Sequence, residues 1–187
     1  MVVSRPSTPT ITLSGDGAKA LDVPTNPTSF PLYAAKPTTK FQFNGEAYEV
    51  LRTAQIDFSD ADTPTGRSIE VVPTTGGPAR YLYAQDERSR WVYYEERRLD
   101  EREVASLGFK DAQRDHPFRL ENGTDRYYPR EEQTGTRYTG SHAERARQYI
   151  YATIGAGTQF RALQPAGGPW EVYVQEVLDR GVFTGPE

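Results

Sequence analysis

The chain contains no cysteine. Disulfides, thiolate nucleophiles and Cys-ligated metals are therefore excluded, and no cofactor is expected. Histidine is nearly as scarce: His116 and His142 are the only two. A metal site would need both beside carboxylates. They lie far apart along the chain and read as unrelated polar residues. No GxSxG elbow gives a Ser-His-Asp triad a local signature. No apolar run could span a bilayer, and the opening "MVVSRPSTPTITLSG" lacks the apolar stretch of a signal peptide. The expectation is a protein that does not enter membranes and resides in the cytoplasm, or in a complex assembled inside the cell, such as a virion.

Lysine is also rare, with four against eighteen arginines. Arginine forks suit phosphate or carboxylate recognition. Here they are spread along the whole chain among Asp and Glu, as codon bias in a GC-rich genome would also produce. The net charge is −4 and the isoelectric point about 5.4. Both argue against nucleic acid as the partner. What the chain does have is aromatic bulk. Twelve Tyr, eight Phe and two Trp lift a hydrophobic fraction of only 36%. The core is expected to be Tyr and Phe on pleated sheets.

Residues 1–40 are rich in Pro, Thr and Ser and hold six prolines. Each removes a backbone donor and biases its predecessor toward extended backbone, so an extended N-terminal arm is expected. Beyond Lys40 the pattern becomes mainly β, in antiparallel hairpins. "FQFNGEAYEVLR" places Asn44-Gly45 as a two-residue hairpin turn. "RSIEVV" and "ARYLYAQ" flank a PTTGGP turn, and "RWVYY" is a further strand. "EERRLDEREVASLG" has good helix formers, early acids and a C-terminal glycine, which predicts a helix over 96–107 capped at Gly108. After it the pattern restarts. "FRLENGTDRYY" repeats the Asn-Gly turn, "RQYIYATIG" reads as a strand, and "TQFRALQ" and "WEVYVQEV" flank a PAGGP turn. The reading is an arm (1–40), a first module with the helix (41–112) and a second module (113–187). The halves are either a weak internal repeat or a coincidence of common turn chemistry. Two small barrels or one larger sheet would both follow.

The order "GEAYEV", "SIEVV", "RYLY", "RWVYYEERRL", then "FRLENGTDRYY", "ATIGAGTQFRAL", "WEVYVQEVLDRGVF" resembles an uncharacterised bacterial family called domain of unknown function 4178, over roughly residues 41–185. That resemblance implies two small β-modules, with a Trp-bearing strand closing the first. It implies no activity.

Three constellations could carry chemistry. "IGAGTQF" has Gly155 and Gly157 but is followed by a strand pattern, so it lacks the helix N-terminus of a phosphate loop and reads as a tight turn. Glu95, Glu96, Asp100, Glu101 and Glu103 read as a solvated helix face without the burial that separates catalytic pKa values. Tyr/Arg interleaving recurs in "RYLY", "RWVYY", "DRYYPR", "TRYTG" and "RQYIY". It suits single-strand stacking, a protein interface, or core Tyr alternating with outward Arg. Tyr81, Tyr83, Trp91, Tyr93, Tyr127, Tyr128, Arg137 and Trp170 are the candidate partner-binding residues. The expected role is a non-catalytic interaction or assembly protein, not an enzyme, working against a protein partner or neighbouring subunit. A small-ligand or single-strand-binding barrel is the alternative.

Overall fold

A computed structural model describes residues 30–59, 65–87, 90–110, 116–154 and 157–185. The first half contributes β1 (Lys40–Phe43), β2 (Glu46–Phe58), β3 (Thr65–Pro73), β4 (Arg80–Glu87) and β5 (Arg90–Arg98). After a short helix, α1 (Glu101–Ser106), the second half contributes β6 (Leu120–Asn122), β7 (Asp125–Thr139), β8 (His142–Ala152), β9 (Thr158–Pro165) and β10 (Glu171–Leu178), and β11 (Phe183–Thr184) follows. All pairings are antiparallel, as the hairpin pattern predicts. Strand order runs β11-β1-β2-β3-β4-β5-β10-β9-β8-β7-β6, and β2 also pairs with β7. That second partner closes eight strands, β2–β5 and β7–β10, into a ring. The chain is one continuous sheet across both halves.

The halves match strand for strand. Asn44 and Gly45, both at positive φ, turn β1 into β2, and Gly123 turns β6 into β7. Register shifts between Val50 and Arg52 in β2, and between Pro129 and Glu131 in β7. These irregularities sit at the same step of each half, and the one in β2 throws Leu51 outward, 43% exposed. The two GGP turns do not correspond. The first joins β3 to β4 and the second joins β9 to β10.

Each half carries an outer hydrophobic layer. On the first, Leu32, Phe41, Phe43, Tyr48, Val50, Ile69, Val71, Leu82, Tyr93 and Phe183 are buried together. Phe43 stacks on Phe183 with ring centroids 5.1 Å apart. Each such side chain contributes about 1.5–3 kcal/mol on burial. Phe30, Leu32 and Ala35, near the end of the segment read as an arm, belong to this layer. Phe30 N–H donates to Phe183 O, Leu32 is fully buried, and Thr38 N–H donates to Val50 O. The remainder of that segment, residues 1–29, lies outside the described residues. On the second half, Leu99, Val104, Phe109, Leu120, Tyr127, Tyr149, Tyr151, Phe160, Trp170 and Val172 form the equivalent layer.

The helix expected over 96–107 is corrected to Glu101–Ser106. Glu95 to Arg98 continue β5, where Glu96 is buried and opposite Gln175. Tertiary pairing overrides helix propensity there. Asp100 starts α1 with a capping box: its side chain accepts from Glu103 N–H, and the Glu103 carboxylate accepts from Asp100 N–H. Gly108, at φ +91°, ends it.

Candidate functional site

Inward-facing positions of the ring meet in a polar network. The Arg161 side chain is 0% exposed and its partner Glu96 1%. Arg161 donates through Nε to Glu96 Oε1 (2.6 Å) and through Nη2 to Oε2 (2.8 Å), a two-point fork. Gln175 Nε2 adds a 2.7 Å bond to Glu96 Oε1. The rings of Tyr83 and Tyr173 lie 4.2 and 4.3 Å from the Arg161 guanidinium carbon. Burial alone would push the Arg161 pKa down, but the Glu96 carboxylate holds it above its ordinary value. Burial raises Tyr83 and Tyr173 to about 12 each. Gln148 donates to Gln133 (2.9 Å), and Gln159 to Gln175 (2.8 Å). Toward one end Ile56, Phe58, Ala146 and Leu163 pack together. Arg161, Glu96 and the glutamines bond to one another, while the buried Tyr83 hydroxyl has no hydrogen-bond partner among the described residues.

The outer wall differs. Between the two hydrophobic layers lies an open cleft of roughly 800 Å³. Its floor is β7, and register builds it in rows. Asp57 pairs with Thr136, which pairs with Arg145. In the next row Ser59 N–H donates to Thr134 O, and Thr134 pairs with Arg147, which pairs with Gln164. Asp57 stands on the β2 side of that floor and Arg145 and Arg147 on the β8 side, while Glu132 lies on β7 itself, in line with Thr134 and Thr136. Alternation explains the outward aim: Tyr149, of the same parity, joins the outer layer, while Gln148 lies in the interior network. Arg147 is fixed by two bonds to Gln164 Oε1 (2.8 and 2.6 Å) and sits 5.1 Å from the Trp170 ring. Asp57 accepts from Gln55 (2.7 Å) and Glu132 from Tyr149 Oη (2.9 Å). Arg145 is exposed and has no ion-pair partner among the described residues.

The candidate partner-binding residues do not share one surface. Tyr83, Tyr93, Tyr127 and Trp170 are buried at 0%, 5%, 1% and 5% exposure, so they serve the core and present nothing to a partner. Trp91 is half-buried under Tyr33, with stacked rings 4.7 Å apart. Tyr81 is half-buried near Arg98 and Leu99. Arg137 is engaged by Glu171 (2.9 Å) and Glu144 (3.8 Å). Only Tyr128 is exposed, edge-on to Phe118, itself 80% exposed. Sequence reading missed Arg145, Thr134 and Thr136. Their signal was present as outward alternation along two long paired strands, but which strands pair was not legible.

His116 stacks on Tyr149 at 3.8 Å, and its Nδ1 lies 2.7 Å from Tyr151 Oη. His142 is exposed near Glu144. No cluster of three potential metal ligands occurs among the described residues. No helix among them is long and apolar enough to cross a membrane. Gly155 of the glycine loop lies outside the described residues. No protein-family model, curated protein or solved structure matches the chain.

Proposed function

We propose that this protein is a non-catalytic interaction module that serves in an assembly, contacting a protein partner or neighbouring subunit through its outer wall and its N-terminal segment. One contrast supports the reading. The interior charges and glutamines are engaged with one another in the Arg161–Glu96 network, whereas Arg145, Thr134 and Thr136 stand outside, in the cleft over β7. Large exposed apolar residues, Phe118 and Ile154 at 80% and 91%, add contact area of the kind protein interfaces use. A phosphate chain fits the cleft poorly, because Asp57 lines one side and Glu132 part of the floor.

The test is molar mass by light scattering, on the full chain and on a chain beginning at Phe30. Starting later would remove Leu32 and open the core. The expected result is association of the full chain and a folded monomer for residues 30–187. Monomers of equal thermal stability in both cases would refute a role in self-assembly.

A further inference from the structure

The interaction reading names no occupant for the cleft, but the fold contains a precedent for one. Arg67 of β3 stands opposite Gln55 of β2, and Arg147 of β8 stands opposite Thr134 of β7. Counted from the register shifts after Val50 and after Pro129, these are the same step in each half. In the first half that arginine grips main-chain carbonyls, those of a single 3-10 turn (Leu32–Ala34) and the extended residue that follows it. Arg67 Nη1 donates to Tyr33 O, and Nη2 to Ala35 O at 3.1 Å. The gripped segment lies across the outer wall, with Tyr33 stacked on Trp91.

The cleft offers the same type of wall with an added charge. Arg147 is held in place by Gln164 and Trp170, and Arg145 stands two residues away on the same face with an open guanidinium. The walls at Asp57 and Arg145 are two strand spacings apart, about 10 Å, and an extended chain occupies about 5 Å of that width. The floor between them is Thr134 and Thr136, short side chains whose hydroxyls can both donate and accept.

Resting on the interaction reading, we propose that this cleft binds an extended polypeptide segment of a partner protein. The segment lies along β7, with an acidic side chain on Arg145 and its main chain over Thr134 and Thr136. The mixed walls favour a peptide, which carries both donors and acceptors, over a uniformly anionic chain.

The test uses the full chain, isotopically labelled for NMR. The probes are a short peptide alternating threonine and glutamate, the same peptide with lysine for glutamate, and an oligothymidylate. The expected result is weak binding of the glutamate peptide, with shifts confined to Thr134, Thr136, Arg145 and their neighbours. Arg145→Glu should weaken it about tenfold, and Arg145→Gln by less. Shifts elsewhere or none, equal binding of the lysine peptide, or tighter binding of oligothymidylate would each overturn the proposal. The two readings fail separately. If the wild-type chain associates by light scattering but does not bind the glutamate peptide, the occupant is wrong and the interaction role stands. If the full chain neither associates nor binds the peptide, both are refuted.

Discussion

Replacing Arg161 by Met removes the cation from the centre of the ring and leaves Glu96 buried. Glu96 then keeps only the Gln175 bond of the three it has, at 2.6, 2.8 and 2.7 Å. A buried carboxylate deprived of its partner costs about 3–5 kcal/mol. Against a typical total of about 5–15 kcal/mol, that is a large share. Glu96→Gln strands the guanidinium instead and should cost a similar amount. The double variant strands neither charge. It loses the contact of Gln148 with Arg161 (3.3 Å) and the charge assistance of the Gln175 bond, about 1 kcal/mol each, and the guanidinium's stacking on Tyr83 and Tyr173, which the methionine sulfur replaces in part. The order is therefore wild type, then the double, then either single. Urea unfolding at pH 7, followed by tryptophan emission, reads it. With a slope of about 2 kcal/mol/M, each single should lower the midpoint by roughly 1.5–2.5 M. A single variant costing under about 1 kcal/mol, or a double costing the sum of the singles, would refute the account.

Two further outcomes follow from the interior and its seam. Burial raises Tyr83 and Tyr173 to about 12, while in the unfolded chain they ionise near 10. Their stabilisation is thus whole below about pH 10 and lost between about pH 10 and 12, on the order of 3 kcal/mol each. Absorbance at the tyrosinate band should rise together with loss of tertiary structure, and ionisation of all twelve tyrosines near pH 10 in a folded chain would contradict this. At the β2–β7 seam, a Cβ on Gly135 would lie 2.3 Å from the Asp57 carbonyl oxygen, which is backbone and cannot rotate away. Gly135→Ala should cost about 1–3 kcal/mol or more and lower Tm by at least several degrees, whereas Gly157→Ala, with nothing within 4 Å, should be neutral. Equal melting of the two variants would remove the argument that Gly135 is what lets the ring close.

Local chemistry was legible where it depends on neighbours in sequence. Asn44-Gly45 announces its hairpin because both positions need positive φ. Alternation announces β3, β4 and β10. The misreading at Glu95–Arg98 has a definite cause: four charged residues in a row look solvated, and only the approach of Arg161 from another strand makes Glu96 an interior residue. The candidate contact residues went the same way. Tyr83 stands between Leu82 and Ala84, Tyr93 between Val92 and Tyr94, and Tyr127 between Arg126 and Tyr128, so both parities carry apolar or aromatic residues and nothing local says which one faces a neighbouring layer. The cleft was invisible for a stronger reason, since its rows join β2, β7, β8 and β9, and the β2–β7 seam connects positions far apart along the chain.

That same seam raises the question of why the interior is polar at all. An eight-stranded ring of this size could be filled with Val and Leu, and such a filling is often as stable as a buried ion pair or more so. It would discriminate poorly between registers. Here β9 carries Arg161, β5 carries Glu96, and β10 lies between them carrying Gln175. Slipping β10 and β9 by two residues against β5 would set Glu96 opposite Tyr173 or Val177, leaving both charges buried and unpaired. A one-residue slip would turn the whole set outward. Two halves so alike in strand order offer many wrong pairings of similar apolar content. We infer that the network is retained for register more than for stability. The Arg161→Met, Glu96→Gln variant tests this directly: it should stay folded yet give doubled NMR signals along the β5–β10 seam, and a single sharp set of signals there would show that packing alone fixes the pairing.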